Sequence, residues 1–235
     1  MLDTKVLFSR NGKPYSAQTI GREVGSFGRS YNRIVLEIIK NSRGGITRQV
    51  FFRNVALLMP NFLMTRQGPF RGIRYIASKD TVRDPDGKIA LCWAMIGQRL
   101  KDVKERIGTY ENNSLKRVLI EMRHSERKTV SLALWEMFKK LLPVCMGKST
   151  LGLVAASKIL FSVLPEMALP VDNTQWRCVF KTVDYSDIIM HMAEEIELWE
   201  RKTNQRLDSC VPEDLTDMTL PAIYNVMAMK ARRIQ

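Results

Sequence analysis

The sequence predicts a mainly α-helical, multi-helix globular protein, and three observations predict it. Apolar residues recur at helical spacing through most of the 235 residues. Helix-starting residues such as Ser16, Thr47 and Thr219 stand ahead of those runs, and turn formers such as Asn41 to Gly45 follow them. Only one stretch, around 73–93, carries strand-like runs on either side of a strong turn signal, so one short β-hairpin is expected there. A hydrophobic share of 45% and a charged share of 26% are ordinary for a chain that buries a core, which argues against a disordered protein.

The first 15 residues read as an irregular arm, with a turn at Asn11-Gly12 and a breaker at Lys13-Pro14. Ser16 then caps a helix bearing Ile20 and Val24. Gly25 makes a turn, and Tyr31, Ile34, Val35 and Ile38 form the stripe of a second helix. Thr47 starts a third, with Val50, Phe51, Val55 and Leu58 facing the core and Arg48 and Arg53 lying off that face. Pro60 to Gly72 is loop-like and places Arg66 and Arg71 beside Phe62 and Phe70. The hairpin would pair Ile73–Ala77 with Lys88–Trp93 across Asp84-Pro85-Asp86-Gly87. Helices follow at about 95–107, 113–124 and 129–142 by spacing. Ser186 caps a long helix reaching Gln205, and Leu220-Pro221 opens the last one. A basic N-terminal region, 1–110, and a C-terminal helical domain, 111–235, are the expected organisation, with a single domain as the alternative.

The net charge is +13, and all of the excess lies in the first two-thirds of the chain. A balance of that size selects polyanions, nucleic acid before an anionic membrane. Basic residues interleaved with aromatics, as in 60–72, suit a single strand whose bases stack while cations follow its phosphates. The same aromatics would equally anchor a loop.

Two segments resemble known arrangements. SAQTIGREVGSFGRSYNRIVLEIIK, 16–40, resembles a helix-turn-helix unit, which places Arg29, Ser30, Asn32 and Arg33 outward at the start of the second helix. The candidate nucleic-acid contacts are therefore Arg22, Arg29, Asn32, Arg33, Arg48, Arg53, Arg66 and Arg71. The stretch 142–180 resembles the helix-hairpin-helix DNA glycosylases. Leu142-Pro143 is followed by Lys148 at the family's offset, and Leu169-Pro170-Val171-Asp172 leads to Arg177; Val144 and Met146 stand where the family has glycines. The resemblance implies a strand-cutting or base-excising enzyme. In it Lys148 attacks the sugar and Asp172 stabilises the developing cation or activates the nucleophile. A second form of the resemblance pairs Asp172 with Ser157-Lys158, and there the aspartate is a structural cap. Read from the residues alone, Asp172 caps a helix starting at Asn173, and Lys148 is a surface lysine.

Gly147-Lys148-Ser149 lacks the earlier glycine of a P-loop, since Leu142 stands in its place. A helix opening at Ser149 or Thr150 would still hold one phosphate. His124 and His191 stand far from any ligand-spaced partners, so no metal site is expected, and no cofactor is implied. Four spaced cysteines without a secretory leader point to reduced thiols in the cytoplasm or nucleus. No apolar run reaches about 18 residues, so no membrane span is expected. The resulting expectation is a nucleic-acid-binding protein, DNA or RNA, non-catalytic or part of a nucleoprotein complex with other protein subunits. The alternative is a divergent glycosylase or lyase using Asp172 and Lys148.

Overall fold

The structure is a computed structural model, and it describes residues 5–62, 64–66, 68–110, 115–147 and 151–234, with the side chains of 29 and 232–234 left out of the description. Its helices are α1 (Ala17–Ser26), α2 (Arg29–Ser42), α3 (Arg48–Asn61), α4 (Lys88–Gly108), α5 (Val118–Glu121), α6 (His124–Cys145), α7 (Leu153–Val163), α8 (Tyr185–Thr203) and α9 (Leu220–Ile234). A π-helical stretch runs Gln175–Phe180. Strands β1 (Arg74–Ile76) and β2 (Thr81–Arg83) pair antiparallel. The protein is mainly α-helical.

The helix starts follow local chemistry. Ser16 Oγ accepts from the Thr19 amide at 3.2 Å, and Thr47 Oγ1 from that of Val50 at 3.2 Å, each satisfying a free N–H of a first turn. The long C-terminal helix starts at Tyr185, one residue before Ser186, so Ser186 is not its cap. Asp184 is its cap, accepting from the Ser186 and Asp187 amides at 2.9 and 3.3 Å, and a carboxylate is favoured at that end of the dipole.

The hairpin lies within 73–93, but its second strand is not 88–93. Strands β1 and β2 are joined through a single 3-10 turn, Ala77–Lys79, with Asp80 left-handed. Asp84-Pro85-Asp86-Gly87 opens α4 instead: Asp84 Oδ1 accepts from the Lys88 amide at 2.8 Å and Oδ2 from that of Ala90 at 3.1 Å. A turn signal that opens with an aspartate able to reach forward amides serves a helix start as readily as a hairpin. The helix then begins seven residues earlier than the spacing suggested. Similarly α6 starts at His124, ahead of Thr129, and the described residues of 113–124 hold a 3-10 turn, Leu115–Arg117, the four-residue α5 and the first residue of α6.

The organising element is α7. Its sequence, LVAASKILFSV, is apolar nearly all round, and Ala155 to Val163 are all buried. A helix of that kind needs partners on every side, and α2, α3 and α6 pack on it. Outside this layer α4 and α8 pack on α6, and α1 packs on α9. One hydrophobic core runs from Val6 to Ala228, through both halves of the chain. The buried segment after α7 has no regular structure, so its backbone groups find side chains. Tyr185 Oη accepts from the Leu169 amide at 2.8 Å and donates to its carbonyl at 2.7 Å. Thr219 Oγ1 donates to the Pro165 carbonyl at 2.6 Å, and Ser157 Oγ accepts from the Val171 amide at 3.0 Å. Lys104 of α4 meets the buried Glu166 at 2.7 Å, an ion pair joining the two halves. The N-terminal arm is anchored by Glu195 of α8, whose Oε1 accepts from the Val6 and Leu7 amides at 2.6 and 2.8 Å. No helix among the described residues is long and apolar enough to cross a membrane.

Candidate functional site

The ends of several elements leave a cleft of about 1510 Å³ on one side of α7. Its walls are the loop after α3, the start of α4, the last turn of α6, the start of α7, the π-helical stretch and 181–183. Among the described residues the charged side chains lining it are Asp86, Lys88, Lys158, Arg177 and Lys181, four cations against one acid. Its rim is apolar where solvent meets it: Met146, Leu151 and Val183 are 50%, 72% and 59% exposed.

Two features of the backbone build the cationic side. The π-helical stretch closes with the Lys181 amide donating to the Trp176 carbonyl at 3.0 Å, five residues back. This wider turn carries Trp176 and Arg177 to the cleft; π-turns of this kind concentrate at functional sites. Lys181 follows with φ +53°, a conformation that costs a side-chain-bearing residue about 1 kcal/mol or more. Trp176 is buried against Phe138 and Tyr185, and its indole N–H has no acceptor among the described residues.

Among the described residues Lys158 is the one buried charged side chain of the lining, 4% exposed. Its Nζ sits 3.7 Å from the centre of the Phe62 ring, a cation–π contact. Burial pushes its pKa down from 10.5 to about 7, against the pull of the nearby Asp172 charge, which favours the protonated form. Ser157, one residue earlier, fastens the 170–172 segment to α7. Besides accepting from the Val171 amide, its hydroxyl lies 3.1 Å from the Val171 carbonyl. That clamp brings Asp172 close to Lys158.

Asp172 itself caps the next helical segment. Its Oδ1 accepts from the Gln175 amide at 2.7 Å, while Gln175 Oε1 accepts from the Asp172 amide at 2.7 Å, a reciprocal capping box. Gln175 Nε2 continues to Asn225 Oδ1 at 3.3 Å, and Asn225 Nδ2 donates to Tyr31 Oη at 2.8 Å. The capping role read from the residues alone is therefore present. Lys148 lies outside the described residues, as do Ser149 and Thr150.

The other sequence-predicted contacts are scattered. Asn32 does not face outward: it is 5% exposed, and its amide donates to the Val24 carbonyl at 3.1 Å, stitching α2 to α1. Its position one residue after Tyr31 puts it on the inner side of α2, where the arms of a helix pair cross. Arg33, Arg66 and Arg71 are exposed, and the side chain of Arg29 lies outside the described residues. Arg22 is exposed beside Glu23 at 3.4 Å. Arg48 lies over Phe52, and Arg53 is held by Glu37 at 3.2 Å, Asp80 at 3.7 Å and the Tyr75 ring. Among the described side chains of this set none lines the cleft, although Gly68 and Pro69, between Arg66 and Arg71, do. Sequence reasoning passed over Lys88 and Lys181. A lone lysine inside the otherwise apolar 153–163 helix was the readable signal for Lys158. Among the described residues no His, Cys, Asp or Glu side chains group to hold a metal ion.

Comparison of the chain with protein-family models, curated sequences and solved structures finds no match.

Proposed function

We propose that this protein binds nucleic acid, and that the cleft beside α7 receives an unpaired part of a strand. The observation that carries the reading is the lining itself: among the described residues Lys88, Lys158, Arg177 and Lys181 stand with a single acid, within an apolar wall containing Phe62 and Trp176. Cations that follow phosphates beside surfaces that accept a base are what single-strand binding and base extrusion both require. The +13 net charge supports long-range attraction of such a partner.

Binding of labelled single-stranded DNA, duplex DNA and RNA over a salt series tests it, with wild type beside Arg177→Glu/Lys181→Glu and Arg22→Ala/Arg33→Ala. The cleft variant is expected to bind more weakly, with a salt slope smaller by roughly 1 to 2, as about two phosphate contacts disappear. Unchanged binding by the cleft variant, with loss in the Arg22/Arg33 variant, would move the interface to α1 and α2.

A second reading is base excision, and one observation favours it: the Asp172 charge acts on an amine that lines the same cleft. In that reading Lys158 takes the place that the resemblance assigns to Lys148.

A further inference from the structure

We propose that Lys158 is the nucleophile of a site for phosphorylated aldehydes: its Nζ adds to the carbonyl carbon of a ligand in the cleft, and Lys88, Arg177 and Lys181 hold the phosphate. Where the aldehyde is borne by a strand, as at an abasic sugar, the proposal rests on the nucleic-acid reading. A free sugar phosphate carries the same chemistry and does not need it.

The geometry separates two kinds of cation in one cleft. Arg177 and Lys181 are exposed and Lys88 is half-buried, so they keep their charge in contact with water. Lys158 is 4% exposed, with an aromatic ring 3.7 Å from its nitrogen and helix packing around it. No carboxylate lies within ion-pair distance of it among the described residues. A charged amine there is poorly hydrated, and the nearby Asp172 charge and the Phe62 ring offset that cost only in part, so burial favours its neutral form. With the value pushed down to about 7, the neutral share at pH 7 is about a thousandfold that of an exposed lysine. The neutral amine is the form that attacks carbonyls.

The step balances without an added reagent. The nitrogen lone pair forms the N–C bond as the carbonyl π pair moves to oxygen. Proton transfer from nitrogen to that oxygen gives a carbinolamine. Loss of the hydroxyl as water leaves the imine, so one amine and one aldehyde give one imine and one water. Phe62, whose ring lies 3.7 Å from Nζ, makes the wall beside the amine apolar. Ser157 holds the 170–172 segment in place and is a positioning residue, not a partner in the step.

The test is reductive trapping at pH 7 with cyanoborohydride, followed by peptide mapping of the modified lysine. The probes are a single-stranded oligonucleotide with one abasic site, 2-deoxyribose 5-phosphate, and 2-deoxyribose without phosphate. Binding of the same oligonucleotide without the abasic site is measured alongside. Adduct mapped to Lys158 with either phosphorylated probe, well above that with 2-deoxyribose, is the expected result. It should be lost in Lys158→Met and reduced in Arg177→Glu/Lys181→Glu. Adduct with the free sugar phosphate, but neither adduct nor binding with oligonucleotides, would uphold the site while removing the nucleic-acid reading. Binding of the intact oligonucleotide with no adduct at Lys158 from any probe would overturn the proposal and leave that reading standing. Equal trapping with and without phosphate would overturn the phosphate contacts. Adduct spread over other lysines and undiminished in Lys158→Met would overturn the nucleophile. Mapping in wild type reads the site directly, so the result does not depend on how the variant folds.

Discussion

Lys158→Met should stabilise the protein, and by an amount that depends on pH in a defined way. The wild-type amine has a folded value of about 7 against 10.5 for an ordinary lysine. At about 1.4 kcal/mol per pH unit, that difference corresponds to a penalty of about 5 kcal/mol when the amine is charged in both states. The sign follows from proton counts. Between pH 7 and 10.5 the unfolded chain binds the proton and the folded chain has lost it, so wild-type stability rises with pH. Below pH 7 both states are protonated and the full penalty is present; above 10.5 neither is, and it vanishes. Methionine matches the length of the lysine stem and carries no charge, so it keeps the packing of α7 without this term. The stability gap between variant and wild type should therefore narrow by about 1.4 kcal/mol for each pH unit between 7 and 10.5. Urea unfolding followed by tryptophan fluorescence at pH 6, 8 and 9.5, under reducing conditions, reads that gap. Other titrating groups are common to both proteins and cancel in the difference. A gap that stays constant across the range would refute the reasoning. It would mean that the folded amine remains charged and hydrated through the cleft, and the chemistry proposed for Lys158 would lose its basis.

Substitutions at two further positions test how the frame around the cleft is held. Gly21→Ala would place a Cβ 2.4 Å from the Cys210 carbonyl oxygen, so α1 and the 207–212 segment must part. A loss of about 1–3 kcal/mol in urea unfolding is expected despite the better helix propensity of alanine, and a gain would show that this contact yields freely. Asp172→Ala removes the capping acceptor and should cost about 1–2 kcal/mol, whereas Asp172→Asn keeps an oxygen there and should cost under about 0.5 kcal/mol by the same assay. Equal losses for the two variants would assign the stabilising effect to the carboxylate charge instead of the cap.

Much of the helical frame was legible because its signals are local. Ser16 and Thr47 cap the helices they precede, and the stripe of Ile20 and Val24 is buried as its spacing requires. Asp84-Pro85-Asp86-Gly87 was misread as a hairpin turn because the same four residues suit two outcomes. The choice was made by Asp84 reaching the Lys88 and Ala90 amides. Asn32 was placed outside by analogy with a paired-helix motif, but α2 presents that position to the Val24 carbonyl. Asp172 was legible as a cap from its own neighbourhood, since its partner Gln175 is three residues away.

By itself the sequence determined the mainly helical class, the basic character and several helix starts, because each depends on residues within a turn or two of one another or on a simple sum of charges. Only the tertiary structure decided which cations share one cleft. Lys88 of α4, Lys158 of α7, and Arg177 and Lys181 of the π-turn and its end line a single opening beside α7. It also decided that Lys158 is unlike the other three. Desolvation is a property of everything packed around a group, and for this lysine those neighbours include Phe62, nearly a hundred residues away along the chain.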